Sequence, residues 1–498
     1  MKHSSLPSPE ILQLIVLEAR AMLNANRDRV TSRDNTGNWW WRMGVPPSGN
    51  SPDTTGGYAC LPAVLACRII SSMPALPEPS LILSFEEARH LVEAHAAQLR
   101  PRGRELVELL EASGQILAEP IFADRNFPPF PRAMRDGYAV LAADLSPLPA
   151  TLEVIGEIKA GARIEDIPTL QPGQAAAIMT GAPAPPGADA VVMVEYTSSD
   201  ARRVQIMKPV AAGDNIAPVA SEAKRGEKLL LPGTQLDFAA IAVAASVGRS
   251  RILVYSKPKV AILSTGDEIV DLDVPPAATQ IRNSNSYSLA AQVQAAGGEP
   301  VLLPIAPDEP GRQRELIADG LEADLLLLAG GVSMGKYDLV EQVLAELEAE
   351  FFFTGALIQP GKPIVFGRVP CGADAPAREK PPSPPAHVYF FGLPGNPVST
   401  MVTFELFARP LLEALSGMAP RKLVFLGARL KSDIKIKTGL KRFLPAILSG
   451  EFEQTDVELA AWRGSGDIAS MTRANCYIVI PADRDQIQAG EWVPVLMR

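Results

Sequence analysis

Cysteine and histidine are both scarce in this chain of 498 residues, with four of each, and their scarcity removes several kinds of chemistry. Cys60, Cys67, Cys371 and Cys476 form no CxxC pair, which argues against a zinc site and a disulfide framework and leaves reduced, incidental thiols. His3, His90, His95 and His387 stand outside every glycine-rich turn, so histidine-based catalysis is not expected. No stretch approaches the roughly 20 apolar residues that span a bilayer. The N-terminus also lacks the basic-then-apolar order of a secretion signal, and a cytoplasmic protein without membrane association is expected. A formal charge of −9 argues against nucleic acid as a partner. Residues 421–442 reverse that acidity with eight Lys or Arg against one Asp. Lys431, Lys435 and Lys437 share one side of a period-two pattern, the mark of a solvated strand face.

What is present is an ordinary globular composition, 47% apolar and 21% charged, in a chain long enough for roughly three or four domains. Residues 1–80 stand apart. They combine an isolated helical stretch (Pro9 to Asn24), the run Trp39 to Trp41, and a Pro/Gly/Ser/Thr-rich segment from Pro46 to Tyr58. A loosely ordered extension is expected there, and the break in pattern raises the alternative of a natural start at Met73. From Ser84 a capped amphipathic helix begins, with Glu87 three residues after the cap and Ala88, Leu91 and Val92 as its apolar stripe. A second helix is expected from about Arg104 to Ser113. Short strands and turns then run from Ala123 to about Met207, a small β-rich domain. An alanine-rich helix, Phe238 to Ser246, is expected to pack back on the first helices.

Residues 257–417 alternate strand and helix, with strands expected at Lys259 to Ser264, Pro300 to Ile305, Asp324 to Leu328, Lys362 to Phe366 and Val388 to Phe391. That alternation argues a mainly parallel sheet covered on both faces. Pro370 to Pro385 reads as a surface loop. The last 80 or so residues return to strand alternation (Leu423 to Lys437, Asn475 to Ile480), which points to a small β-barrel or sandwich.

Three glycine turns follow apolar strands of the sheet region, where ligands of open parallel sheets lie. In Gly330-Gly-Val-Ser-Met-Gly335, residues Gly330, Gly331 and Gly335 free amide N–H groups to converge on an anion. In Leu393-Pro-Gly-Asn-Pro-Val-Ser399, Asn396 suits an N-cap and Pro397 the first helical position, while Gly395 keeps the helix entrance open. Ser264-Thr-Gly-Asp-Glu268 puts Thr265, Asp267 and Glu268 on the same rim. Carboxylates beside a phosphate call for a cation, most naturally Mg²⁺. Asp308 and Asp338 could join them, or could simply cap a helix and complement a helix dipole. Pro360-Gly361-Lys362 supplies a positive charge on a stiff turn, although a mobile surface lysine is the alternative. Asp136 and Thr180, in two β-turns of the β-rich domain, cannot reach this crevice within their own chain unless domains fold over. A site shared between subunits would let them.

Taken together, Asp-Gly-Tyr-Ala at 136, Met-Thr-Gly-Ala-Pro at 179, Ser-Thr-Gly-Asp-Glu at 264, the glycine turn at 330, Pro-Gly-Lys-Pro at 360 and Leu-Pro-Gly-Asn-Pro-Val-Ser at 393 resemble the molybdopterin molybdenumtransferase family. That family is MoeA and the gephyrin E domain, and the match runs from about Ser84 to Arg498. The resemblance implies a multidomain α/β plus β fold. Residues 81–124 and 208–256 would form an elongated helical and linker domain, and 125–207 a β-rich inserted domain. Residues 257–417 would form the mainly parallel α/β molybdopterin-binding domain and 418–498 a C-terminal β-barrel. It implies a homodimer that inserts molybdenum from molybdate into adenylylated molybdopterin, with Mg²⁺ assisting. Oxyanion displacement at the anhydride frees AMP.

By motif, Asp136, Thr180, Glu268, Asp338 and Lys362 become catalytic candidates, and Glu268, Asp308 and Asp338 candidate Mg²⁺ ligands. Substrate binding would fall to Thr265, Gly266, Asp267 and Asp308 on one turn pair and to Gly330, Gly331, Ser333 and Gly335 on the glycine cradle. Pro360, Gly361, Pro394, Gly395, Asn396 and Ser399 would complete it. Partners implied are a molybdopterin adenylyltransferase and molybdoenzyme maturation proteins. The competing readings are an adenylyltransferase and a non-catalytic molybdopterin-binding scaffold or regulator. Four features depart from the family pattern: Ala133 in place of a common serine, Gln359 in place of a common lysine, Glu222 in place of an aspartate, and no arginine at 217–219.

Overall fold

The computed structural model describes residues 81–200, 202–331, 339–370, 387–451 and 454–498. The expected extension and the expected loop at Pro370 to Pro385 lie almost wholly outside them. At the centre are six strands: β1 (Lys259–Ser264), β2 (Glu299–Leu302), β3 (Leu325–Ala329), β4 (Glu350–Phe353), β5 (Val365–Pro370) and β6 (His387–Leu393). Their spatial order is β2-β1-β3-β6-β5-β4. The first four are parallel and the last two pairings antiparallel, so the mainly parallel sheet is present with an antiparallel edge. The run Leu325–Leu328 is fully buried, each leucine contributing about 1.5–3 kcal/mol. Alternate residues feed two cores. Leu325 and Leu327 meet a core that includes Leu289 and Val402, while Leu326 and Leu328 meet Leu316, Ile317 and Val340. The strand expected from Lys362 begins instead at Val365 and runs antiparallel to β6, which leaves Lys362 in the turn before it.

Helix α1 (Phe85–Ala96) starts as expected, with Ser84 Oγ accepting from Glu87 N (3.2 Å) and Glu87 Oε2 accepting from Ser84 N (2.9 Å). Its buried Phe85, Ala88, Val92 and Ala96 belong to the core of the parallel sheet. The expected helix from Arg104 to Ser113 is not formed. Arg104–Glu108 is a strand paired antiparallel with Arg251–Tyr255 over five residue pairs, and this long-range ladder outweighs the helix propensity of its Glu and Leu residues. Helix α2 (Phe238–Ser246) forms with Asp237 as N-cap. It buries Ala240 and Ala244 against Leu117, Ile121, Ile252 and Val254, not against α1, which corrects the expected packing.

The β-rich segment is a six-stranded sheet in the order Ala190–Met193, Gly137–Val140, Gln174–Ile178, Ala150–Ile158, Arg203–Ile206, Thr197–Ser199. The C-terminal strands close into a barrel, because Lys441–Ser449 pairs with both Asp456–Leu459 and Cys476–Ile480. Lys431, Lys435 and Lys437 are exposed, as a solvated face requires. One short strand, Ile358–Gln359, pairs parallel with Lys441–Arg442 and ties the Pro360 turn to the barrel.

Candidate functional site

Strands β1, β3 and β6 are neighbours, so the turns that leave their carboxyl ends are forced together. Thr265 N donates to Ala329 O (3.2 Å), Gly330 N to Leu393 O (3.1 Å) and Gly266 N to Ala306 O (3.1 Å). Gly330 and Gly331 have φ of +97° and +65°. A Cβ on Gly331 would lie 2.5 Å from Val340 Cγ2 and 2.8 Å from Thr265 Oγ1, and one on Gly395 would lie 3.6 Å from Gly330 Cα. Only glycine permits this approach at 331. Helix α5, numbered after α3 (Ser284–Ala295) and α4 (Pro310–Gly320), spans Pro397–Thr403. Asn396 occupies its N-cap and Pro397 its first position, but the Asn396 side chain makes no capping hydrogen bond. Gly395 and Asn396 are exposed, leaving the helix entrance open. Ser333, Gly335 and Asp338 lie outside the described residues.

Beside the glycine turns stand three carboxylates. Asp308 N donates to Asp267 Oδ1 (3.1 Å), and Glu268 folds back so closely that a Cβ on Gly266 would meet its Oε2 at 2.3 Å. Partial burial, then the negative charges of Asp267 and Glu268, hold the Asp308 carboxyl above its ordinary value. The helix-cap reading of Asp308 fails, because the N-cap of α4 is Glu309 and no side chain caps it. Like charges so placed favour a cation. Among the described residues no three acidic, histidine or cysteine side chains could by themselves hold a metal. Mg²⁺ binds through one or two carboxylates together with substrate phosphate, so the pair Asp308 and Asp267 or Glu268 fits it.

On the other side is positive charge. Gly361 (φ +106°) packs against α5, where a Cβ would lie 2.3 Å from Thr403 Cγ2 and 3.7 Å from Ser399 O. The carbonyl of Lys362 accepts from Ala356 N and Ile364 N, both at 3.0 Å. That fixes the turn, and the lysine is half-buried with no carboxylate partner among the described residues. Across the short strand pair from Gln359 stands Arg442. It is 8% exposed, donates from Nη2 to Lys437 O (2.6 Å), and its Nε has no partner among the described residues. Burial lowers its pKa. Sequence reasoning missed Arg442 as a buried charge, but its side chain shares the strand face of Leu444, Ala446 and Ile480 inside the barrel and not in the crevice. The barrel also reaches α5 directly, since Ser465 O accepts from Val398 N (3.0 Å). Asn285 was missed as well; its Nδ2 donates to Gly395 O (2.8 Å) and so anchors the third turn.

Asp136 and Thr180 come together, but in the β-rich sheet and not at the sheet-edge turns. Asp136 Oδ1 accepts from Thr180 N (2.6 Å) and Thr180 Oγ1 (2.8 Å), and these bonds lower its pKa. Three of the four departures noted in sequence, Ala133, residues 217–219 and Glu222, fall here, whereas Gln359 pairs with the barrel. Ala133 is fully buried, exchanges backbone hydrogen bonds with Gly181 and Ala182, and its neighbour Met134 bonds to Asn215 O. Glu222 is ion-paired with Arg132 at 2.6 Å.

Comparison with known proteins accounts for almost the whole described chain. Residues 83–248 match the MoeA N-terminal region (domains I and II), 261–414 a probable molybdopterin binding domain, and 427–497 the MoeA C-terminal region (domain IV). The molybdopterin molybdenumtransferase of a Nostoc species is 38% identical over 402 residues, covering 79% of this chain and 88% of the relative. That of Bacillus subtilis is 32% identical over 406 residues, covering 79% and 89%. The crystal structure of a MoeA protein from Pyrococcus horikoshii OT3 superimposes with a TM-score of 0.64 at 29% identity, over 84% of this chain and all of that one.

Proposed function

The chain belongs to the molybdopterin molybdenumtransferase family, and we propose that it inserts molybdenum from molybdate into adenylylated molybdopterin and releases AMP. The reading rests above all on one arrangement. A glycine cradle lies beside a carboxylate rim, and Lys362, which has no carboxylate partner among the described residues, follows a turn that packs against α5.

In this proposal the turns at Gly330, Gly331 and Gly395 admit phosphate oxygens to close backbone contact. Lys362 offsets the charge of the oxyanions. Asp308 paired with Asp267 or Glu268, with Asp338 added on sequence grounds, would hold Mg²⁺ together with substrate phosphate. When bound there, the metal would screen the phosphate charge that develops as AMP departs. Asp136, kept ionised by Thr180, serves as an acceptor from across a homodimer.

A homodimer is supported by α2, which leaves Phe238 87% exposed and carries no charged residue; such a surface fits a protein interface. No described helix is long and apolar enough to cross a membrane; a cytoplasmic setting is part of the proposal.

Lys362→Gln tests the site. AMP released from adenylylated molybdopterin in the presence of molybdate should fall about tenfold or more, the usual scale for losing one electrostatic contact. Undiminished release by the variant would remove Lys362 from the chemistry.

A further inference from the structure

Away from the sheet-edge turns, a cavity of about 180 Å³ opens where the antiparallel ladder of Arg104–Glu108 and Arg251–Tyr255 runs into the parallel sheet. The turn at 113–116 and Gln235 form one wall, and Tyr255 and Lys257, in the short connection to β1, form the next. Gln294 at the end of α3 and Ser416 at the end of the helix Arg409–Leu415 complete it. Free helix C-termini would attract a cation, but the carbonyls of these two are taken. Those of Gln292, Val293 and Gln294 accept from Ala296 N, Gly298 N and Gly297 N, and those of Leu412, Glu413 and Ala414 from Ser416 N, Met418 N and Gly417 N.

What the cavity then offers is one cation and several neutral polar groups, with no carboxylate in its lining. The Lys257 ammonium, the Gln294 amide and the Tyr255 hydroxyl have no partner among the described residues. Tyr255 is nonetheless fixed, because Arg104 Cζ lies 5.6 Å from its ring centroid and a Cβ on Gly417 (φ +85°) would meet its Cδ2 at 2.4 Å. Gln235 Nε2 reaches Gly114 O only at 3.5 Å. Gln115 donates from Nε2 to Glu111 O (2.9 Å), and its Oε1 is buried with no donor among the described residues; native proteins carry few such atoms. Amides and hydroxyls both donate and accept, as the hydroxyls of a polyol do, whereas an ammonium only donates and is a recurrent point-charge partner of phosphate. Lys257 is exposed and Ser416 buried, which puts the charge towards solvent. The volume has room for about six waters or one small organic molecule.

We propose that this cavity is a second ligand site, for a short polyol phosphate. Lys257 meets the phosphate, and the side chains of Gln235, Gln294 and Tyr255 meet the hydroxyls. The lining comes from the ladder, the connection to β1 and two helices of the sheet domain, so a bound molecule ties these together and stabilises the folded chain by mass action. The site is independent of the molybdenum-insertion reading.

Calorimetric binding of glycerol 3-phosphate to the full chain, with thermal melts as the check on folding, is measured for the parent, Lys257→Gln, Gln294→Leu and Lys362→Gln. Without ligand, Lys257→Gln and Gln294→Leu should melt with the parent, since both side chains are exposed. Lys257→Gln should bind about tenfold more weakly, the scale of one charge-assisted contact, and Gln294→Leu should bind more weakly than the parent. Lys362→Gln, which alters the cradle instead, should keep the parent affinity. Glycerol and inorganic phosphate should each bind about tenfold more weakly than glycerol 3-phosphate, because each supplies only part of the contacts. No binding by the parent overturns the inference and leaves the cavity to water. Parent affinity in both Lys257→Gln and Gln294→Leu overturns it too, and if Lys362→Gln alone loses binding the molecule sits in the cradle. Inorganic phosphate bound as tightly as glycerol 3-phosphate overturns it as well, because the hydroxyl contacts would then contribute nothing.

Discussion

Arg442 carries a charge that the described residues leave without a carboxylate, 8% exposed and with a buried, unpartnered Nε. Replacing an uncompensated buried charge by an apolar side chain of similar volume is often neutral or stabilising. Arg442→Met should therefore unfold no earlier than the parent, as thermal melts would show. Asp308 makes the opposite case, a carboxyl raised above its ordinary value of 3.8 by burial, Asp267 and Glu268. A raised acid binds protons more readily folded than unfolded, so it destabilises the fold only above the unfolded value. Asp308→Asn should raise the unfolding temperature at pH 7, and the gain should vanish as pH falls below about 3.8, which a pH series of thermal melts can follow. The residue scale is also where sequence says least. Asp308 is open to two readings in sequence, and the N-cap of α4 at Glu309 removes the helix-cap one.

The strands β1, β3 and β6 are legible in sequence because they are buried on both faces and read as unbroken apolar runs. Helix α1 is legible because its capping box is a local device. Ser84→Ala removes that cap and should cost about 0.5–2 kcal/mol. The loss should appear in the unfolding of the sheet domain, because α1 is buried in that core. Arg104–Glu108 misleads for the converse reason: its partner strand, Arg251–Tyr255, is remote in the chain, and long-range pairing leaves no local mark. The three glycine turns are legible as turns, but their mutual contact depends on the order β1-β3-β6. Gly331→Ala tests that contact. The left-handed backbone costs about 1–2 kcal/mol for a residue with a Cβ, and the added atom meets Val340 and Thr265 at 2.5 and 2.8 Å. Binding of adenylylated molybdopterin should be lost before the fold is, as calorimetry beside circular dichroism would show.

At the scale of the whole molecule, the charged and glycine-lined parts of the proposed site come from turns of the parallel-sheet domain, while Asp136 and Thr180 stand in a separate sheet. The proposed homodimer would bring them to that site. The exposed face of α2 gives a way to assemble one. Phe238→Glu should convert the protein to a monomer by light scattering and reduce AMP release in step; an intact dimer would remove α2 from the interface. The central claim is that this chain couples molybdate to cleavage of the adenylylated pterin. A single-turnover measurement of AMP release and of molybdenum bound to the pterin product, with and without molybdate, addresses it directly. Release of one AMP per molybdenum incorporated, dependent on molybdate, is the expected result. Molybdate-independent release, or no release from protein that binds the pterin, would contradict it.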